Sequence, residues 1–159
     1  IRDRLESHEL GSNLRMSEVT AAIGRVQLQR LDGWLHRRRE IAEQYCQAFA
    51  QLTGIQLPKI RNNTQHAWHQ YCMVVESPES FKAVLDEQGI DSRVYYGQPC
   101  HRQGVYASHP QHNSTFPITD AIASHLVAIP IHHQLTESEV QRVIRAVTIA
   151  TSVSDGVGK

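Results

Sequence analysis

The chain has 159 residues, and its 16 Lys plus Arg balance 16 Asp plus Glu, so the formal net charge is zero. That balance argues against a dedicated nucleic-acid binder, which shows a basic excess, and no apolar run approaches the roughly 20 residues needed to span a membrane. Cys46, Cys72 and Cys100 lie far apart without CxxC spacing, which suits a reducing cytoplasm better than a disulfide scaffold.

Ile1 to Leu10 is charged rather than signal-like, and Arg2, Asp3, Arg4 and Glu6 read as the tail of an element that starts upstream. The expectation is the C-terminal portion of a longer protein. Gly11 to Ser17 is a polar loop carrying Asn13 and Arg15, with Ser17 as a helix N-cap and Glu18 beside the positive helix end. An Asn and an Arg beside a helix N-terminus can form an anion site, although a polar capping loop looks the same. From Val19 apolar residues recur, with steps of three and four dominant, through Ile23, Val26, Leu28, Leu31, Leu35, Ile41, Tyr45 and Phe49 to Leu52, and Gly54 supplies a stop. This predicts one long helix of about 36 residues, roughly 54 Å at 1.5 Å per residue. Gly24 and Gly33 mark places for a bend or a close approach. The run Arg37-Arg38-Arg39 reads as a solvated helix face.

The aromatic, β-branched run His66–Val75 predicts a strand. Ser77-Pro78 predicts a helix start, with Phe81, Val84 and Leu85 on its apolar face and Gly89 as its end. Ile90–Tyr96 predicts a second strand, completing a strand–helix–strand unit. Gly97–Phe116 is a long irregular stretch, of a length that is usually functional or disordered. Thr119 is expected to cap a short helix over Asp120–Val127. Ala128–Ile131 is a short strand whose Pro130 suggests a sheet edge or a strand end. Thr136-Glu137-Ser138-Glu139 is a capping box opening the last helix, and residues 151–159 are expected to fray. The fold class is α+β: a long N-terminal helix leading into a small domain of about three strands with helices packed on it. The expected divisions are 1–15, 16–54 for the connecting helix, 55–150 for the small domain, and the tail.

Ten histidines invite a metal site, but His66 and His69 would point to opposite faces of a strand, and His109 and His112 lack a zinc-type partner spacing. No nucleophile elbow, dinucleotide fingerprint or phosphate loop is present. Of the three lysines, Lys59 falls in a polar loop, Lys82 in a surface helix and Lys159 at the end, and none has the desolvated setting of a Schiff-base lysine. The residues alone show half of an anion site and no reactive group.

Residues 11–18, Gly-Ser-Asn-Leu-Arg-Met-Ser-Glu, followed by Ala21-Ala22-Ile23-Gly24 and Gln27-Leu28, resemble the G-x-N-x-R-M-[ST]-[DE]…A-A-I-G…Q-L signature of the DegT/DnrJ/EryC1/StrS family. In the same order, Arg37–Ala42 resembles R-R-x-[IL]-A, and His66–Tyr71 resembles H-x-[WY]-H-x-[YF]. Gly89–Tyr96 resembles G-I-x-[TS]-x-x-H-Y, with Tyr95 where His is frequent. Pro99-Cys100-His101 resembles P-[LI]-H, Phe116–Asp120 resembles L-P-x-[TS]-[ED], and Ala128–His132 resembles L-P-[LI]-[HY]. The collinear set spans roughly residues 8–148.

The resemblance implies the C-terminal portion of a fold-type-I sugar aminotransferase dependent on pyridoxal 5′-phosphate (PLP), with the reactive lysine upstream and no catalytic residue or metal site in this chain. It implies a homodimer in which Asn13 and Arg15 reach the cofactor phosphate of the partner subunit. The implied reaction takes an amino group from an amino-acid donor, typically glutamate, to a nucleotide-linked keto-sugar. His101 is a further candidate for lining the sugar pocket, and Trp68 is expected in the core or an interface. A sugar dehydratase of the same superfamily and a non-catalytic binding or dimerisation module are the alternatives.

Overall fold

The computed structural model describes residues 14–156. It divides into two compact units, Ile1–Asp32 and Gly33–Lys159, the boundary falling inside the first helix, α1 (Glu18–Phe49). The helix starts where the sequence places it. The Thr20 N–H donates to Ser17 Oγ at 3.2 Å, and the Ala21 N–H to the Ser17 carbonyl at 2.9 Å. In the first unit the apolar side chains of α1, among them Val19, Ile23 and Val26, are exposed.

The second unit begins with the rest of α1, whose Ile41, Ala42, Tyr45 and Phe49 are buried. After the left-handed turn at Gly54 (φ 72°) come β1 (Ile55–Gln56), β2 (Tyr71–Val75), α2 (Pro78–Glu87), β3 (Arg93–Val94), α3 (Pro117–Ile122), β4 (Leu126–Ile129) and α4 (Glu137–Gly156). Two short 3-10 turns, Cys100–Arg102 and Gly104–Tyr106, lie in the irregular stretch, and a third, Ala123–His125, leads into β4. The sheet order is β1-β2-β4-β3, with each neighbouring pair antiparallel. Strands β2 and β3 are therefore parallel, with β4 inserted between them, so the expected strand–helix–strand unit is a split one.

Alternation along the strands assigns the faces. Tyr71, Met73 and Val75 from β2 and Val127 and Ile129 from β4 join one core. The same core takes Tyr45 and Phe49 of α1, Phe81 and Leu85 of α2, and Val140, Val143 and Val147 of α4. Tyr45 brings a hydroxyl into it, which donates to the Pro130 carbonyl at 2.9 Å. The Tyr71 hydroxyl lies 3.3 Å from Cys46 Sγ, and burial pushes both phenols well above their ordinary range, so they stay neutral.

The α+β class with its long first helix is observed, and the sheet contains four strands, β1 being additional to those expected. Several local expectations change. The strand over His66–Val75 begins only at Tyr71, because Trp68 adopts a left-handed backbone (φ 48°). That bend has three supports: the Trp68 N–H donates to His66 Nδ1 at 3.0 Å, Arg38 donates to the Trp68 carbonyl at 2.6 Å, and the buried indole stacks on Tyr71. Trp68 is accordingly a core residue.

The Arg triplet is not a solvated face. Arg37 donates to the Leu135 carbonyl, Arg38 to those of Trp68 and His69, and Arg39 to Gln65 Oε1. Three guanidiniums spaced along α1 thus tie the loops before β2 and α4 to the helix. The strand over Ile90–Tyr96 shrinks to Arg93–Val94, and Tyr96 beyond it turns left-handed (φ 56°). Thr119 does not cap its helix. Pro117, whose ring presets the first helical position, starts α3 earlier, and Asp120 Oδ2 accepts the Phe116 N–H at 2.9 Å. Pro130 marks a strand end, since β4 is an inner strand. Helix α4 runs on to Gly156, beyond the point where the tail was expected.

Candidate functional site

In the first unit the candidate residues stand just ahead of α1. Asn13 lies outside the described residues. Arg15 is exposed, and no hydrogen bond or ion pair engages its guanidinium among the described residues. Ser17, two residues on, sets the start of the helix through its hydroxyl and carbonyl. An unpaired guanidinium carries five donors in a planar fork, a donor set suited to a phosphate dianion, and the positive end of a helix adds to it.

In the second unit His101 sits in the turn Cys100–Arg102, its side chain 14% exposed. Its ring meets Phe116 edge-on with centroids 4.6 Å apart, and Nε2 lies 3.4 Å from Asp120 Oδ1. The pair pins the start of the irregular stretch to the start of α3, so His101 closes a loop as well as being a candidate for ligand contact.

A cleft of about 430 Å3 also lies in the second unit. Its polar lining includes His69, Arg93, Tyr95, His132, Glu139 and Arg142. These come from three of the segments that carried the resemblance (66–71, 89–96 and 128–132) and from the start of α4. Much of its charge is already committed. Glu139 accepts from the Thr136 N–H and hydroxyl at 2.8 and 2.7 Å, which holds its carboxyl below the ordinary range. Arg142 donates to the Gln88 and Gly89 carbonyls, and Arg93 lies 3.5 Å from Asp91. Sequence reasoning did not single out this convergence, because the linear order of the segments carries no sign that β4 inserts between β2 and β3.

Neither described lysine has the setting of a covalent catalyst. Lys59 is exposed and Lys82 is ion-paired with Asp86 at 2.8 Å on the surface of α2. Burial pushes the Cys72 thiol up, away from the reactive thiolate. Among the described residues no three His, Cys, Asp or Glu side chains gather as a metal site. His66 and His69 do not oppose each other across a strand, since neither lies in one; His66 Nδ1 is occupied by the Trp68 N–H. No helix among the described residues is long and apolar enough to cross a membrane.

The profile of the DegT/DnrJ/EryC1/StrS aminotransferase family matches residues 1–148. A dTDP-3-amino-3,6-dideoxy-alpha-D-galactopyranose transaminase of Aneurinibacillus thermoaerophilus is 36% identical over 137 residues, covering 86% of this chain and 37% of that protein. A dTDP-3-amino-3,4,6-trideoxy-alpha-D-glucose transaminase of Streptomyces venezuelae is 34% identical over 142 residues, covering 89% and 38%. Among solved structures, S. venezuelae DesV in complex with a ketimine intermediate superposes with a TM-score of 0.84 at 31% identity, covering 94% of this chain and 40% of that one. The chain thus spans 37–38% of the length of these two curated relatives.

Proposed function

This chain belongs to the DegT/DnrJ/EryC1/StrS aminotransferase family, and on that premise we propose that it is the C-terminal portion of a PLP-dependent sugar aminotransferase. The proposed enzyme takes an amino group from an amino acid, glutamate in the first instance, and delivers it to the keto group of a nucleotide-linked keto-sugar. The family match over residues 1–148 carries the reading, and both curated relatives above are named as transaminases of dTDP-linked amino sugars.

PLP, when bound, supplies the electron sink for moving the amino group. The part of this chain is to bind and orient. Asn13 donates to the phosphate, with Arg15, exposed and without a partner among the described residues, as the second candidate, and Ser17 sets the helix start behind them. In the proposed homodimer these donors serve the cofactor of the other subunit. The second unit contributes the His101 loop to the sugar side. The reactive lysine is proposed to lie outside these 159 residues, consistent with the exposure of Lys59 and the ion pair of Lys82.

Mixed with PLP, the 159-residue chain should give no visible band beyond that of the free cofactor and no transamination. A band abolished by Lys59→Ala or Lys82→Ala would overturn the reading. In the full-length protein, Asn13→Ala or Arg15→Ala should weaken PLP binding by about 1–3 kcal/mol, the range for a charge-assisted hydrogen bond. Unchanged cofactor affinity in both variants would remove this loop from the phosphate site.

A further inference from the structure

The surroundings of His101 assign a second role to Asp120. One carboxylate oxygen, Oδ2, accepts the Phe116 N–H at 2.9 Å and so fixes the side chain against the first turn of α3. The other, Oδ1, is thereby aimed at the His101 ring, 3.4 Å from Nε2, while Phe116 supports the ring from its side. Among the described residues Nε2 is buried without a hydrogen-bond partner, and Oδ1 lies 3.4 Å from it. Among the described residues Nδ1 makes no hydrogen bond, and it is not buried.

A neutral imidazole carries one proton, on either nitrogen, and an ionised carboxylate can only accept. With the proton on Nδ1, a buried Nε2 lone pair would face a carboxylate oxygen, and the two would repel. With the proton on Nε2, the N–H faces the carboxylate across 3.4 Å, and attraction takes the place of that repulsion.

We infer that Asp120 is a positioning residue: in the neutral form of the His101 ring it holds the proton on Nε2 and leaves Nδ1 as a bare acceptor. A residue so presented accepts from a hydroxyl and gives nothing to a phosphate. The ligand chemistry it fits is a polyhydroxyl group, which, resting on the proposed function, is the sugar ring rather than the diphosphate of a nucleotide-linked substrate. Asp120 thus works on the ligand through His101, while the same carboxylate caps α3.

Asp120→Asn separates the two tasks, since its carbonyl oxygen can keep the Phe116 N–H while its amide donates to Nε2 and drives the proton to Nδ1. Long-range 15N–1H correlation spectra of the 159-residue chain at alkaline pH, with His101 assigned through His101→Gln, should show a bare Nδ1 in the wild type and a protonated Nδ1 in Asp120→Asn. A wild-type ring with the proton on Nδ1, or an Asp120→Asn ring unchanged from wild type, overturns the inference. In the full-length enzyme, Asp120→Asn should raise KM for the keto-sugar substrate about tenfold, as loss of one hydrogen bond does, with kcat within about twofold. A fall in kcat at unchanged KM overturns the ligand assignment. The spectra need neither cofactor nor substrate, so they decide the tautomer even if the full-length protein transaminates nothing, a result that would sink the proposed function instead.

Discussion

Helix α1 follows one apolar rhythm from Val19 to Phe49, yet its two halves meet different fates. In the second unit Ile41, Tyr45 and Phe49 are fully buried in a core shared with β2, α2, β4 and α4. In the first, Val19, Ile23 and Val26 hold the same kind of stripe at steps of four and three, with Ile23 55% and Val26 49% exposed. Leu28 and Leu31 add apolar surface on another side of the helix. A helical period says that a face is built to be covered, and it is silent about what covers it. Contiguous exposed apolar side chains of this kind mark an interaction surface, and the proposed full-length dimer would supply one.

The contrast is sharpest in core truncation. Phe81→Ala or Phe49→Ala should destabilise the 159-residue chain by about 3–5 kcal/mol, because each removes a fully buried ring and leaves a cavity. Ile23→Ala should change stability by no more than about 0.5 kcal/mol in the same chain. Urea unfolding of the three variants measures both. An Ile23→Ala cost close to that of Phe49→Ala would mean that the first-unit stripe is already covered in the isolated chain, and the comparison would fail.

The next effect tests how the second unit closes around α2. Gly89 is left-handed (φ 68°), and a Cβ there would meet Arg142 Nη2. That same nitrogen donates to the Gln88 and Gly89 carbonyls at 2.9 and 3.1 Å, so α4 supplies the cap for the end of α2. Gly89→Ala should cost about 2 kcal/mol, combining the left-handed penalty of an L-residue with displacement of the guanidinium. Arg142→Ala removes the two hydrogen bonds without backbone strain and should cost less. If the two variants are equally destabilised, the loss of the cap accounts for the whole effect and the backbone conformation for none.

What was legible in the sequence follows the same division between local and non-local causes. Ser17, Pro78, Gly89 and the Thr136–Glu139 box each mark a helix end through a residue's own chemistry, and each marks an observed end. Ser77 stands at its expected place, although its hydroxyl makes no cap bond. Expectations failed where distant chain decides. The His66–Gln70 segment has strand-forming residues, but Arg38, thirty positions earlier, holds a left-handed bend at Trp68. The Arg triplet has the composition of a solvated face, and only the folded unit brings the carbonyls of Trp68, His69 and Leu135 to it. Of the candidate site residues, the type of Arg15 and its place before a cap were readable. The Asp120 carboxylate against His101 was not, because the two stand nineteen positions apart and the pairing depends on where α3 begins.

The smallest expected effect concerns the box that opens α4, the best-predicted cap in the second unit. Glu139 accepts from the Thr136 N–H and hydroxyl, with the backbone bond the larger cause of its lowered carboxyl value. A carboxyl held lower in the folded chain than in the unfolded one adds stability at pH values above the unfolded value of about 4.3. That contribution is lost as the pH falls through the folded value, because protonation then costs the folded state more than the unfolded. Glu137, also lowered, through Gln44, Gln141 and Arg37, acts in the same acid window, so the wild-type profile alone cannot isolate Glu139. Glu139→Gln can, since its amide oxygen still accepts from Thr136 but does not titrate. Urea midpoints of wild type and Glu139→Gln measured from pH 7 down to pH 3 should converge as the pH drops, with wild type the more stable at neutral pH. Curves that stay parallel throughout would mean that Glu139 holds the helix start by shape alone, with no share from its charge.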